Sequence, residues 1–269
     1  MNLPNHNKLF IPFIMAGDPS PQFTVNLALT LQRAGASILE LGVPYSDPLA
    51  DGPVIQRASS RALLNKMNLV KAIELAGEMR SAGLNIPIII FTYLNPVLQL
   101  GYKSFCALAK QNGVGGLLIP DLPLEESTAC RKVCDENGID LISLVAPTSK
   151  ERIVKIATSA KGFLYCVSSV GVTGERTELN SNIEEFVKQA KEFSSVPVAV
   201  GFGISNKHQV EYLSSLCDGV VIGSAIVRMV EELLDVIQLD ESEALLQMEQ
   251  RIKEIISPIL NDGFVKDKC

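Results

Sequence analysis

Histidine is nearly absent from this 269-residue chain, which holds only His6 and His208. Two residues so far apart supply neither a His-based nucleophile triad nor a multi-histidine metal site, so proton transfer falls to carboxylates. No Gly-x-Gly-x-x-Gly opens the first helical segment, and no Gly-Lys-Ser/Thr follows a glycine cluster, which removes the usual dinucleotide and nucleotide signals. No apolar run reaches the ~18 residues a membrane span needs, and residues 1–8 lack the charged-then-apolar pattern of a signal peptide. A cytoplasmic protein without a membrane partner is expected. Basic blocks are missing too, and a net charge of −6 with a pI near 5.1 argues against a nucleic-acid partner.

What is present is the material for a large core: 47% of residues are hydrophobic and 20% charged. Six scattered cysteines, Cys106, Cys130, Cys134, Cys166, Cys217 and Cys269, read as reduced thiols rather than a disulfide framework. Cys130 and Cys134 lie one helical turn apart and would make half a metal site, but no second pair or nearby histidine accompanies them; ordinary packing is the expectation.

Apolar, β-branched runs occupy residues 9–16, 37–42, 87–92, 115–120, 139–145, 161–167, 197–202 and 218–223. Between them, segments such as 22–34, 69–82, 103–112, 125–137 and 183–193 carry apolar residues at helical spacing. Gly35, Gly83, Gly113 and Gly138 end four of these segments, where a left-handed helix cap favours glycine. Strand and helix alternating eight times, with no linker or charge run between them, predict one α/β domain over 1–269. The predicted fold is a (β/α)8 barrel with its active site at the C-terminal ends of the strands, and 1–8 form a short N-terminal segment. Periodicity alone leaves an open doubly wound sheet as the alternative.

That architecture makes polar residues at strand ends the functional candidates. Glu40 stands inside an apolar run, where a carboxylate is costly unless it has work or a partner, and burial would raise its pKa toward proton transfer. A structural ion pair or an outward-facing position remains open from the sequence. The segment 43–53 that follows is long and holds three prolines, and it places Asp51 within reach of Glu40 across a pocket. Asp51-Gly52-Pro53 reads equally as a helix-entry turn. Gly201-Phe202-Gly203 after the seventh run, and Gly223-Ser224 after the eighth, would let backbone N–H groups approach an anion at a helix N-terminus. Gly171-Val172-Thr173-Gly174 reads as a third contributor or a lid.

The stretch from Glu40 to Pro53, Glu-Leu-Gly-Val-Pro-Tyr-Ser-Asp-Pro-Leu-Ala-Asp-Gly-Pro, closely resembles the second strand and loop of tryptophan synthase alpha subunits. Ala16-Gly17-Asp18-Pro19, Pro120-Asp121-Leu122-Pro123, Gly171-Val172-Thr173-Gly174 and Gly201-Phe202-Gly203-Ile204-Ser205 extend the resemblance in order along the chain. It implies cofactor-free retro-aldol cleavage of indole-3-glycerol phosphate to indole and glyceraldehyde 3-phosphate. On the family's pattern Glu40 handles the protons at indole C3 and the glycerol hydroxyl, while Asp51 meets the indole N–H. Phe13, Tyr165 and Phe202 would line the pocket, and Gly174, Gly203, Gly223 and Ser224 would hold phosphate, with Thr173 meeting Asp51 on closure.

The resemblance further implies an α2β2 assembly with a beta subunit, to which pyridoxal phosphate belongs, and a partner-contact loop containing Pro44 and Asp47. Two departures from the family stand out: residues 1–8 are too short and polar for the usual helix under the barrel floor, and Ser169 replaces an arginine of some relatives. A sugar-phosphate epimerase or isomerase barrel, or a catalytically weak regulatory subunit, are the competing readings.

Overall fold

The computed structural model describes residues 8–147, 150–167, 183–201 and 203–261. Strand β1 (Leu9–Met15) is followed by α1 (Pro21–Ala34), β2 (Leu39–Gly42) by α2 (Pro53–Leu64) and α3 (Leu69–Ser81), and β3 (Ile88–Phe91) by α4 (Leu94–Leu100) and α5 (Tyr102–Gln111). Strand β4 (Gly116–Leu118) leads through a 3-10 turn at Leu124–Glu126 into α6 (Thr128–Asn137). Then come β5 (Asp140–Leu141), β6 (Ser143–Val145), α7 (Lys150–Thr158), β7 (Leu164–Val167), α8 (Ile183–Phe193), β8 (Val198–Gly201) and α9 (Lys207–Leu216). The chain continues through β9 (Gly219–Ile222), α10 (Ser224–Glu232), α11 (Leu234–Leu239) and α12 (Glu241–Asn261).

All strand pairs are parallel, in the order β5-β4-β3-β2-β1-β9-β8-β7-β6. The first strand pairs with the last, as barrel closure demands, and an open doubly wound sheet is thereby excluded. The two ends of the order, β5 and β6, are consecutive in the chain and separated by Ile142 alone. They are the two halves of the predicted run 139–145. The first half registers on β4, with Ile142 N–H still reaching Leu117 O at 2.8 Å, and the second half registers on β7. The nine segments therefore occupy eight barrel positions.

Local sequence accounts for the helix limits. Ser20 caps α1 by accepting the Phe23 N–H, with Pro21 in the first turn, and Asn68 and Asn206 cap α3 and α9 through Lys71 and Gln209. All four glycines read as helix ends have positive φ, from 69° at Gly113 to 107° at Gly35. Two boundaries differ most from expectation. The segment 125–137 begins as the 3-10 turn and becomes α-helical only at Thr128, after Ser127 Oγ has turned back onto Leu124 O at 2.8 Å. Strand β7 starts at Leu164 rather than 161, because Gly162 adopts φ 66° and turns the chain first. Cys106, Cys130, Cys134, Cys166 and Cys217 are free and buried, and no group able to hold a metal ion occurs among the described residues. No helix among the described residues is long and apolar enough to cross a membrane. Of the N-terminal segment only Lys8 is described, its ammonium donating to Cys217 O at 2.7 Å; residues 1–7 and Ser169 lie outside the described residues.

One charged network fastens the helices around the C-terminal rim. From α2, Arg61 grips Asp18, just past β1, through two hydrogen bonds of 2.7 and 2.9 Å and reaches Glu231 of α10 at 3.1 Å. Arg57, one turn earlier, holds the same Glu231 with two bonds of 2.7 Å. Asp18 is almost fully buried, so its charge depends on Arg61. Helix α2 follows the loop that carries Asp51, and α10 opens at Ser224; the network sets these two helices against each other. Arg61→Ala is expected to destabilise the fold by about 2–3 kcal/mol, below the usual cost of breaking a buried pair because Arg61 keeps some exposure. Urea unfolding followed by circular dichroism measures it, and Asp18→Asn in the same chain should recover part of the loss.

Candidate functional site

Parallel register places Glu40 beside Phe13 of β1 and Ile89 of β3, with its side chain in the barrel's upper interior. It is 1% exposed, and among the described residues its Oε1 has no hydrogen-bond partner. Burial alone pushes its carboxyl up to about 8 from 4.5. Among the described residues Glu40 makes no ion pair, one of the readings left open by the sequence, and its side chain faces the cavity rather than outward.

Asp51 enters the same cavity from the loop after β2, 7% exposed. Burial raises its carboxyl from 3.8 to about 6, against the lowering effect of a hydrogen bond from Tyr93. That bond runs from the Tyr93 hydroxyl to Oδ2 at 3.0 Å, while the same hydroxyl accepts the Ala50 N–H at 3.0 Å. Gly52 caps α2 and Pro53 sits in its first turn, so the helix-entry geometry read from the sequence is also real. It is the means by which Asp51 is presented.

Phe13, Glu40, Asp51, Ile55, Phe91, Tyr165, Gly203, Ile204, Val221, Gly223 and Ser224 line one cavity at this end of the barrel. Phe13 and Phe91 meet edge to face, with ring centroids 5.5 Å apart. Tyr165 is fully buried; desolvation, then the Glu40 charge, holds its phenol well above the usual range. Gly203 has φ 91°, and with Gly223 it leaves the N-terminus of α10 open to the cavity.

Seven of the residues singled out from the sequence are thus brought together: Glu40, Asp51, Phe13, Tyr165, Gly203, Gly223 and Ser224. Thr173, Gly174 and Phe202 lie outside the described residues. In the loop, Asp47 is exposed and its Oδ2 accepts the Ser46 hydroxyl at 2.6 Å, whereas Pro44 is buried. Sequence reasoning missed Tyr93; its only signal was a polar aromatic just beyond a strand end. It also missed what Gly42 does, and it read Gly201 only as part of an anion-binding cluster. A Cβ at Gly42 would strike the Phe13 ring, and one at Gly201 the Tyr165 hydroxyl, so these two glycines make room for the aromatic walls.

Acid–base chemistry at the upper rim of a parallel barrel defines an enzyme class rather than one enzyme. Comparison with known proteins narrows the class. Residues 2–257 match the family described as tryptophan synthase alpha chain. The chain is 60% identical over 253 residues to the tryptophan synthase alpha chain of Geobacillus sp. (strain WCH70), covering 93% of this chain and 96% of that one. To the Bacillus subtilis (strain 168) protein of the same name it is 60% identical over 235 residues, 87% of this chain and 88% of the other. The chain belongs to the tryptophan synthase alpha chain family. Among solved structures, tryptophan synthase subunit alpha from Legionella pneumophila str. Paris superposes with a TM-score of 0.85 at 34% identity, over 94% of this chain and 93% of that one. A chain of the tryptophan synthase α2β2 complex from Pyrococcus furiosus superposes with a TM-score of 0.82 at 35% identity, over 94% of this chain and 98% of the other.

The raised pKa of Glu40 has a consequence for stability. Its contribution is fully present below the unfolded value of 4.5 and is lost as pH rises through about 8, where the buried group must ionise. The Tm of the wild-type protein should therefore fall across this window, and Glu40→Gln should flatten the fall and raise Tm on its alkaline side. Calorimetry across the pH range checks both.

Proposed function

We propose that this chain is a carbon–carbon lyase that cleaves indole-3-glycerol phosphate to indole and glyceraldehyde 3-phosphate and passes the indole to a beta subunit. The observation that carries the reading is the presence of two carboxylates in one cavity with different proton affinities. Glu40, up at about 8, is protonated near neutral pH, whereas Asp51, at about 6, is ionised.

That difference assigns the steps. Glu40 donates its proton to indole C3, and the positive charge that develops on the ring nitrogen is met by the Asp51 carboxylate. Glu40, now ionised in a dry pocket, takes the proton of the glycerol hydroxyl next to the scissile bond. The C–C bond breaks, its electrons return to the indole ring, and the hydroxyl carbon becomes the aldehyde of glyceraldehyde 3-phosphate. Glu40 ends as it began, protonated, and no cofactor enters the balance.

Phe13, Phe91 and Tyr165 supply apolar walls for the indole, and Gly203, Gly223 and Ser224 the backbone cradle for the phosphate at the α10 N-terminus. Thr173, Gly174 and Phe202 belong to the same site by the family's pattern. The partner-facing loop is represented by exposed Asp47 and by Leu49, which is 74% exposed, with buried Pro44 stiffening its base. The setting proposed is the cytoplasm, and pyridoxal phosphate is assigned to the beta subunit.

Indole release by the purified chain supplied with indole-3-glycerol phosphate tests the reading directly. Glu40→Gln and Asp51→Asn should each lower kcat by roughly 10²–10⁴-fold with the fold intact. The kcat/KM profile of the wild type should be bell-shaped between about 6 and about 8. Purified beta chain should form a larger species by light scattering and raise kcat. Near-wild-type activity in Glu40→Gln would remove Glu40 from its role, and a chain that stays monomeric with unchanged activity would remove the partner.

A further inference from the structure

We propose that Tyr93 is the positioning residue for Asp51, a single hydroxyl that fixes both the rotamer of the carboxylate and the peptide preceding it. This inference rests on the reading of Asp51 given above. Asp51 sits at the end of a long loop, and such a segment on its own does not hold a charge to the tolerance that chemistry needs. Tyr93 removes that freedom twice over, since its hydroxyl donates to Asp51 Oδ2 and accepts from the Ala50 N–H, each at 3.0 Å. Carboxylate and backbone thus hang from one oxygen.

Tyr93 is itself held from two directions. Tyr93 is 3% exposed and immediately precedes α4. The next residue, Leu94, gives its N–H to Asp121 Oδ1 at 2.9 Å, which anchors the start of α4 to the loop after β4. The Tyr93 ring lies against that of Tyr45, with centroids 5.2 Å apart and planes inclined by 31°. Tyr45 in turn is tied to α2 by its N–H and carbonyl, at 2.9 and 3.1 Å from the Ser59 hydroxyl. The loop that bears Asp51 is therefore tied at both ends and pinned near its C-terminal end.

A tyrosine suits this post better than a lysine or arginine. A neutral donor stabilises the ionised carboxylate without supplying a full positive charge, which would compete with the charge developing on the substrate. Around the cavity β2 presents Glu40, β7 presents Tyr165, α2 presents Ile55 and α10 presents Ser224; Gln56 reaches only the Asp51 carbonyl, at 2.7 Å. No lysine, arginine or histidine lines it among the described residues. Among the described residues Tyr93 is the side chain that donates to this carboxylate, and its bond opposes the burial that raises the Asp51 pKa.

Tyr93→Phe removes one oxygen and keeps the ring stack. Expected are a 10- to 100-fold fall in kcat, the rate equivalent of about one hydrogen bond to a charged group, and little change in KM. The acid limb of kcat/KM should move upward by roughly one pH unit, because the ionised form of Asp51 loses its donor. In an Asp51→Asn background the same substitution should cost little further, since its effect passes through the charge it serves. Inhibition by glycerol phosphate should be unaltered. Tyr93→3-fluorotyrosine, a stronger donor of the same shape, should move the acid limb downward and gives a second route if Tyr93→Phe does not fold. An unmoved acid limb, an equal loss in the Asp51→Asn background, or weakened glycerol phosphate binding would each overturn the inference. Wild-type activity in Asp51→Asn alone would overturn the reading of Asp51 instead.

Discussion

One carboxylic acid, buried with no hydrogen-bond partner for Oε1 among the described residues, is the constraint on which the rest of this barrel depends. Glu40 lies between the side chains of two neighbouring strands, out of water, so its charged form is unfavourable. A small or loosely packed protein would relieve that penalty by turning the side chain outward or admitting water. Here the strand register forbids the first, because shifting β2 by one residue would turn its whole apolar set around. The aromatic walls oppose the second. A fold with a continuous core from β1 to β9 has stability enough to keep one group in an unfavourable state for the sake of what it does.

The second carboxylate shows how the same cavity yields an opposite result. Asp51 arrives from a loop rather than a strand, finds a hydroxyl donor and is less completely desolvated than Glu40. Its proton affinity is therefore raised less. Two acids a short way apart come to differ in ionisation through placement alone, one on the rigid sheet and one on a tethered loop. The charged network of Arg57, Arg61, Asp18 and Glu231 lies on the outer side of that loop's helix and keeps α2 against α10, so the two halves of the cavity are held in one frame.

Much of this was legible in the residues, for physical reasons that differ from element to element. Strands and helices alternate with different periods, so eight repeats could be counted. Glycine at helix ends marked where each repeat closed. The break in the fifth strand was not legible, because residues 139–145 read as an unbroken apolar run and only the diverging partners on either side separate β5 from β6. Glu40 was visible because a charge within an apolar run contradicts its surroundings. Asp51 was visible chiefly through its motif. Tyr93 was not, since a tyrosine after a strand is as ordinary in a core as in a site, and its partner lies 42 residues away in the chain. The pairing of Arg61 with Asp18 was hidden in the same way, being a matter of which helix crosses which loop.

Gly42 and Gly201 lie at the C-terminal ends of β2 and β8, where even a methyl group would collide with Phe13 or Tyr165. At those two points the backbone has already retreated as far as a polypeptide can. Variation at either glycine can only narrow the chamber or push a ring off its wall, so a bulkier guest must be accommodated by trimming the rings themselves. Selectivity at this rim is consequently a one-way ratchet on the main-chain side, and the freedom to broaden it resides in the two aromatic side chains.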